Sequence, residues 1–143
     1  MRSIFKTQRL NLDNVEKILN SMKNIAIIGL SPDENKASNF VAKFLQDKGF
    51  KIYPIYPKEE FILKEKVYRD LKEIPFSIDT VVMFRKASYA NEIFESLLEK
   101  NVKNFWMQLG IINDEICKKC EKFHIICVQD KCIKIELQSK ENK

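Results

Sequence analysis

Glycine is scarce in this 143-residue chain: there are three, at positions 29, 49 and 110. A dinucleotide fingerprint of the G-x-G-x-x-G type needs three glycines in one turn, so that phosphate-binding loop is excluded. Histidine is rarer still. His124 stands alone with no Ser or Asp arrangement near it, which argues against a catalytic triad and for a structural or surface residue. Long apolar runs are also missing. The strongest, Ile25 to Leu30, falls far short of the ~20 residues that a membrane helix needs. The opening stretch, Met1 to Arg9, is basic but has no apolar core of the signal-peptide kind. A cytoplasmic protein without a membrane partner is expected.

The charge that is present is positive but scattered. Lys and Arg total 25 against 20 Asp and Glu, a formal net charge of +5. Lys64, Lys66 and Arg69 alternate with Glu65 and Asp70, and Lys118, Lys119 and Lys122 sit beside Glu115 and Glu121. Interspersed signs describe a solvated surface rather than a nucleic-acid face, so the excess favours a small anionic ligand. Four cysteines lie at 117, 120, 127 and 132. Cys117 and Cys120 have CxxC spacing, but a redox pair normally opens a helix, and this one falls late in a helical stretch. Cys127 falls within the apolar run from His124 to Val128, where a strand would bury it. No metal site is expected, and the four read as ordinary thiols.

The length suits one domain. Leu12, Val15, Ile18, Leu19 and Met22 recur at helical spacing, which predicts a helix over residues 11–22 as an N-terminal arm (1–23). Asn24 to Ile28 is too short for a helix and ends at Gly29, as expected of a strand buried on both faces. A helix follows from about Lys36 to Gly49, then a strand over 50–57, a short helix over 68–73 and a third strand over 79–84. A helix to about Lys100, a fourth strand over 104–108, a helix capped by Asn113 and a fifth strand over 124–128 complete the pattern. Such alternation predicts an α/β domain over 24–137, a Rossmann-like, doubly wound, five-stranded parallel sheet with helices on both faces. Right-handed crossovers give 3-2-1-4-5 as the simplest strand order. Residues 138–143 read as a polar, frayed tail.

In an open sheet of this kind ligands bind outside the carboxyl ends of the strands, where the order reverses. The loops there read Gly29-Leu30-Ser31-Pro32, Tyr56-Pro57-Lys58, Phe84-Arg85-Lys86 and Gln108-Leu109-Gly110. The first resembles a phosphate cradle: Gly29 allows a tight turn, Ser31 offers a hydroxyl and its N–H, and the helix start beyond presents unpaired N–H groups. Lys36 and Ser38 add a charge and a hydroxyl. An NAD site wants an acid at the end of the second strand. Lys58 stands there instead, which favours a ribose phosphate, as in NADP or the 3′-phosphate of coenzyme A. Glu59 and Glu60 are expected to face solvent. Arg85 is placed to reach a pyrophosphate, and Gln108 and Gly110 offer an amide and open backbone. Trp106, inside an apolar strand, reads as core.

These stretches, in order, resemble the small stand-alone coenzyme A-binding domain proteins (the YccU-like family), whose fold is also that of the succinyl-coenzyme A ligase α-subunit N-terminal domain. The resemblance rests on Ile25 to Pro32, Lys36 to Ser38, Gly49 to Pro57, Asp79 to Arg85, Phe105 to Gly110 and Asp130 to Glu136. It implies that Gly29, Leu30, Ser31, Pro32, Lys36 and Ser38 surround phosphates, with Tyr56, Pro57 and Lys58 near the adenosine end and Phe84 and Arg85 across the crevice. The chain departs from the family pattern in having Tyr56 where Asn is common and Lys36 where Arg is usual. Lysine keeps the charge without arginine's bidentate fork. Cys132, in the closing stretch, is a thiol that could face the crevice.

The implied function is a coenzyme A (or acyl-coenzyme A) binding module or sensor, more simply non-catalytic than enzymatic, because no catalytic constellation is visible. An NADP-dependent oxidoreductase would explain Lys58 but lacks the glycine fingerprint. A subunit of an acyl-coenzyme A ligase or transferase would draw a phosphorylated histidine from a further domain, a role that nothing carries onto His124. A protein partner or a homo-oligomer stays open.

Overall fold

The computed structural model describes residues 4–142. Helix α1 (Ile4–Ser21) leads into β1 (Asn24–Ile28), α2 (Ala37–Asp47) and β2 (Lys51–Ile55). A hairpin of β3 (Phe61–Ile62) and β4 (Glu65–Lys66) and a 3-10 turn at Leu71–Glu73 precede β5 (Thr80–Met83). The chain then alternates through α3 (Tyr89–Glu99), β6 (Asn104–Met107), α4 (Asp114–Lys122), β7 (Ile126–Val128) and α5 (Ile133–Glu141). Among the described residues no helix is long and apolar enough to cross a membrane.

Five strands form one all-parallel sheet, covered on both faces. Alternation along β1 shows why: Ile25 and Ile27 join the core built with α1, α2 and α5, while Ala26 and Ile28 join the core built with α3 and α4. All four are 0–2% exposed, and burying each isoleucine contributes roughly 1.5–3 kcal/mol. Trp106 is fully buried as expected, its indole N–H donating to Lys131 O at 2.8 Å.

The sheet order is β2-β1-β5-β6-β7. Counting only its own strands in chain order, this is 2-1-3-4-5 rather than the expected 3-2-1-4-5. Strand two is therefore an edge, and Pro54 is the physical reason. Proline has no N–H to give a neighbour, so it belongs on edge strands. Pro54 O accepts from Tyr68 N on the side away from β1, the direction in which its missing N–H also falls. A full strand on that side would lose a ladder bond. The third strand, β5, pairs with β1 instead, Ile28 opposite Met83. The β3–β4 hairpin screens the outer edge, with Lys51 on Glu65 at 2.6 Å.

Other boundaries move as well. The N-terminal helix starts at Ile4 rather than at residue 11, and Leu12 is 54% exposed instead of on its buried face. Val15, Ile18, Leu19 and Met22 are buried as expected. The helix expected over 68–73 is a three-residue 3-10 turn, because Tyr68 is drawn into a bridge with Ile55. His124 lies in a turn at φ +63°, two residues before β7 begins. The expected frayed tail continues α5 to Glu141. Leu137 is buried, and Lys48 meets Glu141 at 3.0 Å.

The opposite edge, β7, is closed by α1. Asn11 forms a two-way clip, donating from Nδ2 to Gln129 O at 3.0 Å and accepting from Gln129 N at 2.9 Å. Asn14 Nδ2 donates to Cys127 O at 2.9 Å. Side-chain amides thus satisfy backbone groups that a neighbouring strand would otherwise take.

Candidate functional site

The corrected order moves the reversal point to the gap between β1 and β5, so the loops after these two strands are direct neighbours. Gly29 stands at the end of β1 with φ +83°, and its N–H donates to Ile55 O at 2.9 Å. A side chain there would be strained by that φ. Its Cβ would also lie 3.4 Å from both Arg85 Cδ and Phe84 Cβ. The stem of Arg85 therefore lies across Gly29, joining the two loops.

A cleft of about 200 Å³ opens at this junction, lined by Ile28, Gly29, Ile55, Tyr56, Pro57, Arg69, Arg85 and Tyr89. It holds two guanidiniums and no carboxylate. The Arg85 guanidinium stacks over the Tyr89 ring at 4.6 Å. Arg69 donates through Nη1 to Tyr56 O at 3.0 Å and Lys58 O at 2.9 Å, which fixes the loop after β2. Among the described residues neither arginine side chain forms an ion pair, so both charges remain available to an anion.

Beside the cleft, the loop from Gly29 to Lys36 holds its own shape. Ser31 N donates to Ser38 Oγ at 2.9 Å, Asn39 Nδ2 donates to Ser31 O at 2.8 Å, and Ser31 Oγ accepts from Asp33 N at 3.1 Å. Ser38 is nearly buried by this role, and Leu30 is fully buried with its side chain in the core. Pro32 and Lys36 are exposed. Lys36 occupies the N-cap of α2 in extended conformation, with no side-chain cap bond.

The structure thus gathers Gly29, Tyr56, Pro57 and Arg85 around one cleft and leaves the other expected residues outside its walls. Lys58 is exposed on the same loop as Pro57, and Phe84 is half-buried against the core. Gln108 is nearly buried, and its Oε1 accepts from Ile133 N at 2.9 Å, at the start of α5. Gly110 N donates to Asp130 Oδ1 at 2.8 Å. Both brace the loops beyond β6 and β7. Glu59 and Glu60 face solvent as expected. Arg69 and Tyr89 escaped the sequence reading. Arg69 looked like one of many scattered charges, and only the bridge at Tyr68 brings it to β2. For Tyr89 the spacing to Arg85 was a signal, since residues four apart meet on one side of a helix start.

A larger cavity, about 570 Å³, lies along the edge of β7 between α1 and α4. Its lining mixes Lys17 and Lys118 with Asp114 and Glu121, so it has no preference for an anion. Size alone would favour it. Charge and the position of the strand reversal favour the smaller cleft.

The uncharacterized protein YneT of Bacillus subtilis is 34% identical over 121 residues, covering 85% of this chain and 90% of that protein. The α subunit of an ADP-forming acetate–CoA ligase (II) of Pyrococcus furiosus is 33% identical over 82 residues, which span 57% of this chain but only 18% of the subunit. Among solved structures, a hypothetical protein from Pyrococcus horikoshii superposes with a TM-score of 0.83 at 32% identity, covering 89% of each chain. Prb, a redesign of the protein PH1109 for binding, superposes at 0.86 with 26% identity and 92% coverage of each chain. A family model described as a CoA binding domain matches residues 23–138, from the turn before β1 into α5. On that match, over nearly the whole sheet and the cleft it builds, the chain belongs to the CoA binding domain family.

Proposed function

We propose that the chain binds coenzyme A, its phosphates held in the crevice between β1 and β5, and that it acts as a binding module or sensor. The observation that carries this reading is the cleft with two guanidiniums, Arg69 and Arg85, and no carboxylate. Guanidinium is the side chain best matched to phosphate oxygens. The residues present fit the group. A pyrophosphate would be received by Arg85 and by the uncapped start of α2, beside the turn of Gly29 to Pro32, whose Gly29 and Ser31 N–H groups are already bonded within the fold, with Lys36 adding charge. Tyr56, Pro57 and Lys58 would take the adenosine end, Lys58 serving the 3′-phosphate. Phe84 flanks the crevice, Ser38 shapes its first loop, and Gln108 and Gly110 brace the far side.

Family membership supports coenzyme A over other phosphate ligands. When bound, the cofactor supplies a thiol that carries acyl groups as thioesters. The cleft is smaller than the roughly 300–1,000 Å³ typical of small-molecule pockets. It suits a phosphate and ribose, with the rest of the ligand lying along the exposed loops. No histidine, cysteine or carboxylate lines it, which supports binding without chemistry. The ligase activity of the larger relatives belongs to proteins of which this chain resembles less than a fifth.

Isothermal titration with coenzyme A, 3′-dephospho-coenzyme A and NADP tests the reading. Binding of coenzyme A that weakens about tenfold without the 3′-phosphate supports it, one charged hydrogen bond being worth roughly 1.5–3 kcal/mol. Binding of NADP alone would replace it with a nicotinamide-dependent reductase. No binding of coenzyme A by protein confirmed free of retained cofactor would overturn it.

A further inference from the structure

Three of the four cysteines converge where α4 packs on β7. Cys117 and Cys120 come from the helix and Cys127 from the middle of the strand. The Cys117 and Cys127 sulfurs are 2.6 Å apart. A disulfide requires closure to about 2.05 Å, which a small side-chain movement supplies. The CxxC pair is a poorer match. Cβ atoms three residues apart on a helix are about 5–6 Å apart, whereas a disulfide needs roughly 3.5–4.5 Å. Among the described residues no group of three His, Cys, Asp or Glu is arranged to hold a metal ion.

The two sulfurs differ in access. Cys117 is half-buried and lines the 570 Å³ cavity beside β7, together with Cys127. Cys127 is 6% exposed and Cys120 fully buried. We propose that Cys117 and Cys127 are a reversible modification site, oxidised to a disulfide by exchange with a low-molecular-weight disulfide entering through this cavity.

The Cys117 thiolate attacks one sulfur of the small disulfide, whose other half leaves as a thiolate and takes up a proton. Cys127 then gives its proton to solvent and displaces the second small thiol from Cys117. The protein loses two electrons and two protons, and the small disulfide is reduced to two thiols. Cys127 takes the second step for a physical reason. Hydrogen bonds with Cys117 and Cys120, then burial, hold its thiol well above the ordinary range, and a thiol so held does not attack first. The bond would fasten α4 to the edge strand across the cavity mouth. It is independent of whether the crevice binds coenzyme A.

The test is to treat the fully reduced chain with oxidised glutathione, quench in acid, alkylate the free thiols and map the peptides without reduction. Expected are an intact mass, taken before alkylation, lower by about 2 Da, for the two hydrogens lost, and one cross-link joining Cys117 to Cys127. Dithiothreitol should reverse it. Cys120→Ala should leave the cross-link intact, whereas Cys127→Ala should trap glutathione on Cys117. If Cys127→Ala fails to fold, the wild-type map decides alone. A Cys117–Cys120 bridge, glutathione confined to Cys132, a stable adduct on Cys117 in the wild type, or four free thiols at excess oxidant would each overturn the proposal.

Discussion

Helices α2 and α4 each follow a strand of the same parallel sheet, yet their first turns are finished in opposite ways. In α4 the side chain of Asn113 accepts from Ile116 N at 3.1 Å, and Asp114 and Glu115 follow in the first turn. In α2 the cap position holds Lys36, which makes no cap bond, and the first turn has no acid. The peptide dipoles are equivalent, so each helix start carries a partial positive charge. In α4 that charge is answered by the helix's own side chains. In α2 it is left unanswered, at the end of β1 where Arg69 and Arg85 add to it. Helices α3 and α5 also lack a side-chain cap bond, but each has an acid in its first turn, whereas α2 has neither.

The largest expected effect comes from closing the open end at its narrowest point. Gly29→Val puts a branched side chain at φ +83°, against Arg85 Cδ and the Phe84 backbone. Backbone strain of this kind costs about 1–3 kcal/mol, and displacing Arg85 should remove coenzyme A binding as well. Urea unfolding and titration on the same variant measure both. A Gly29→Val protein with wild-type affinity would detach the cleft from the function.

Arg85→Ala comes next. Its stem covers Gly29, but the residue as a whole is exposed, so stability should change little. Affinity for coenzyme A should fall about 10- to 100-fold, the equivalent of roughly 1.5–3 kcal/mol for charge-assisted bonds. Arg85→Lys should recover part of this, since it keeps the charge and loses the fork. Equal affinities for Ala and Lys would mean that Arg85 serves only to pack on Tyr89.

How much of this was legible in the sequence follows from the range of each signal. Strand β1 was readable because burial on both faces leaves an unbroken apolar run that ends at Gly29. The helix of Ala90, Ile93, Phe94 and Leu97 was readable from its spacing. The strand order was not deduced, although Pro54 carried the information: a missing N–H is a statement about neighbours, and periodicity says nothing of neighbours. Gly29, Tyr56, Pro57 and Arg85 could be named from strand ends alone. The bond of Gln108 to Ile133 N was not legible because the two lie 25 residues apart. Arg69 was missed because its place depends on Tyr68 bridging Ile55, a contact with no local pattern. Cys127 was correctly expected to be buried, but its pairing with Cys117 needs α4 laid on β7.

A direct way to break the comparison is to finish α2 as α4 is finished. Lys36→Asp supplies an N-cap acceptor and an acid at once, which should stabilise the helix by about 0.5–1 kcal/mol. The same change should weaken coenzyme A binding about tenfold or more, because the carboxylate occupies the N–H groups and repels phosphate. Stability and affinity then move in opposite directions in one variant. If thermal stability rises while affinity holds, the start of α2 has no part in the site.

The smallest effect is the reciprocal change in α4. Asn113→Ala removes the cap and also the Nδ2 bonds to Ala87 O at 2.9 Å and Asn91 Oδ1 at 2.8 Å. Loss of a cap costs about 1 kcal/mol, which in a domain of this size lowers Tm by a few degrees. Affinity for coenzyme A should be unchanged, because the start of α4 lies beside the β7 cavity rather than the crevice. Asn113→Ser, which keeps only the cap acceptor, should recover part of the lost stability. A loss of affinity in Asn113→Ala would mean that the two helix starts are coupled through the loops after β5 and β6, and the contrast between them would then be one of degree.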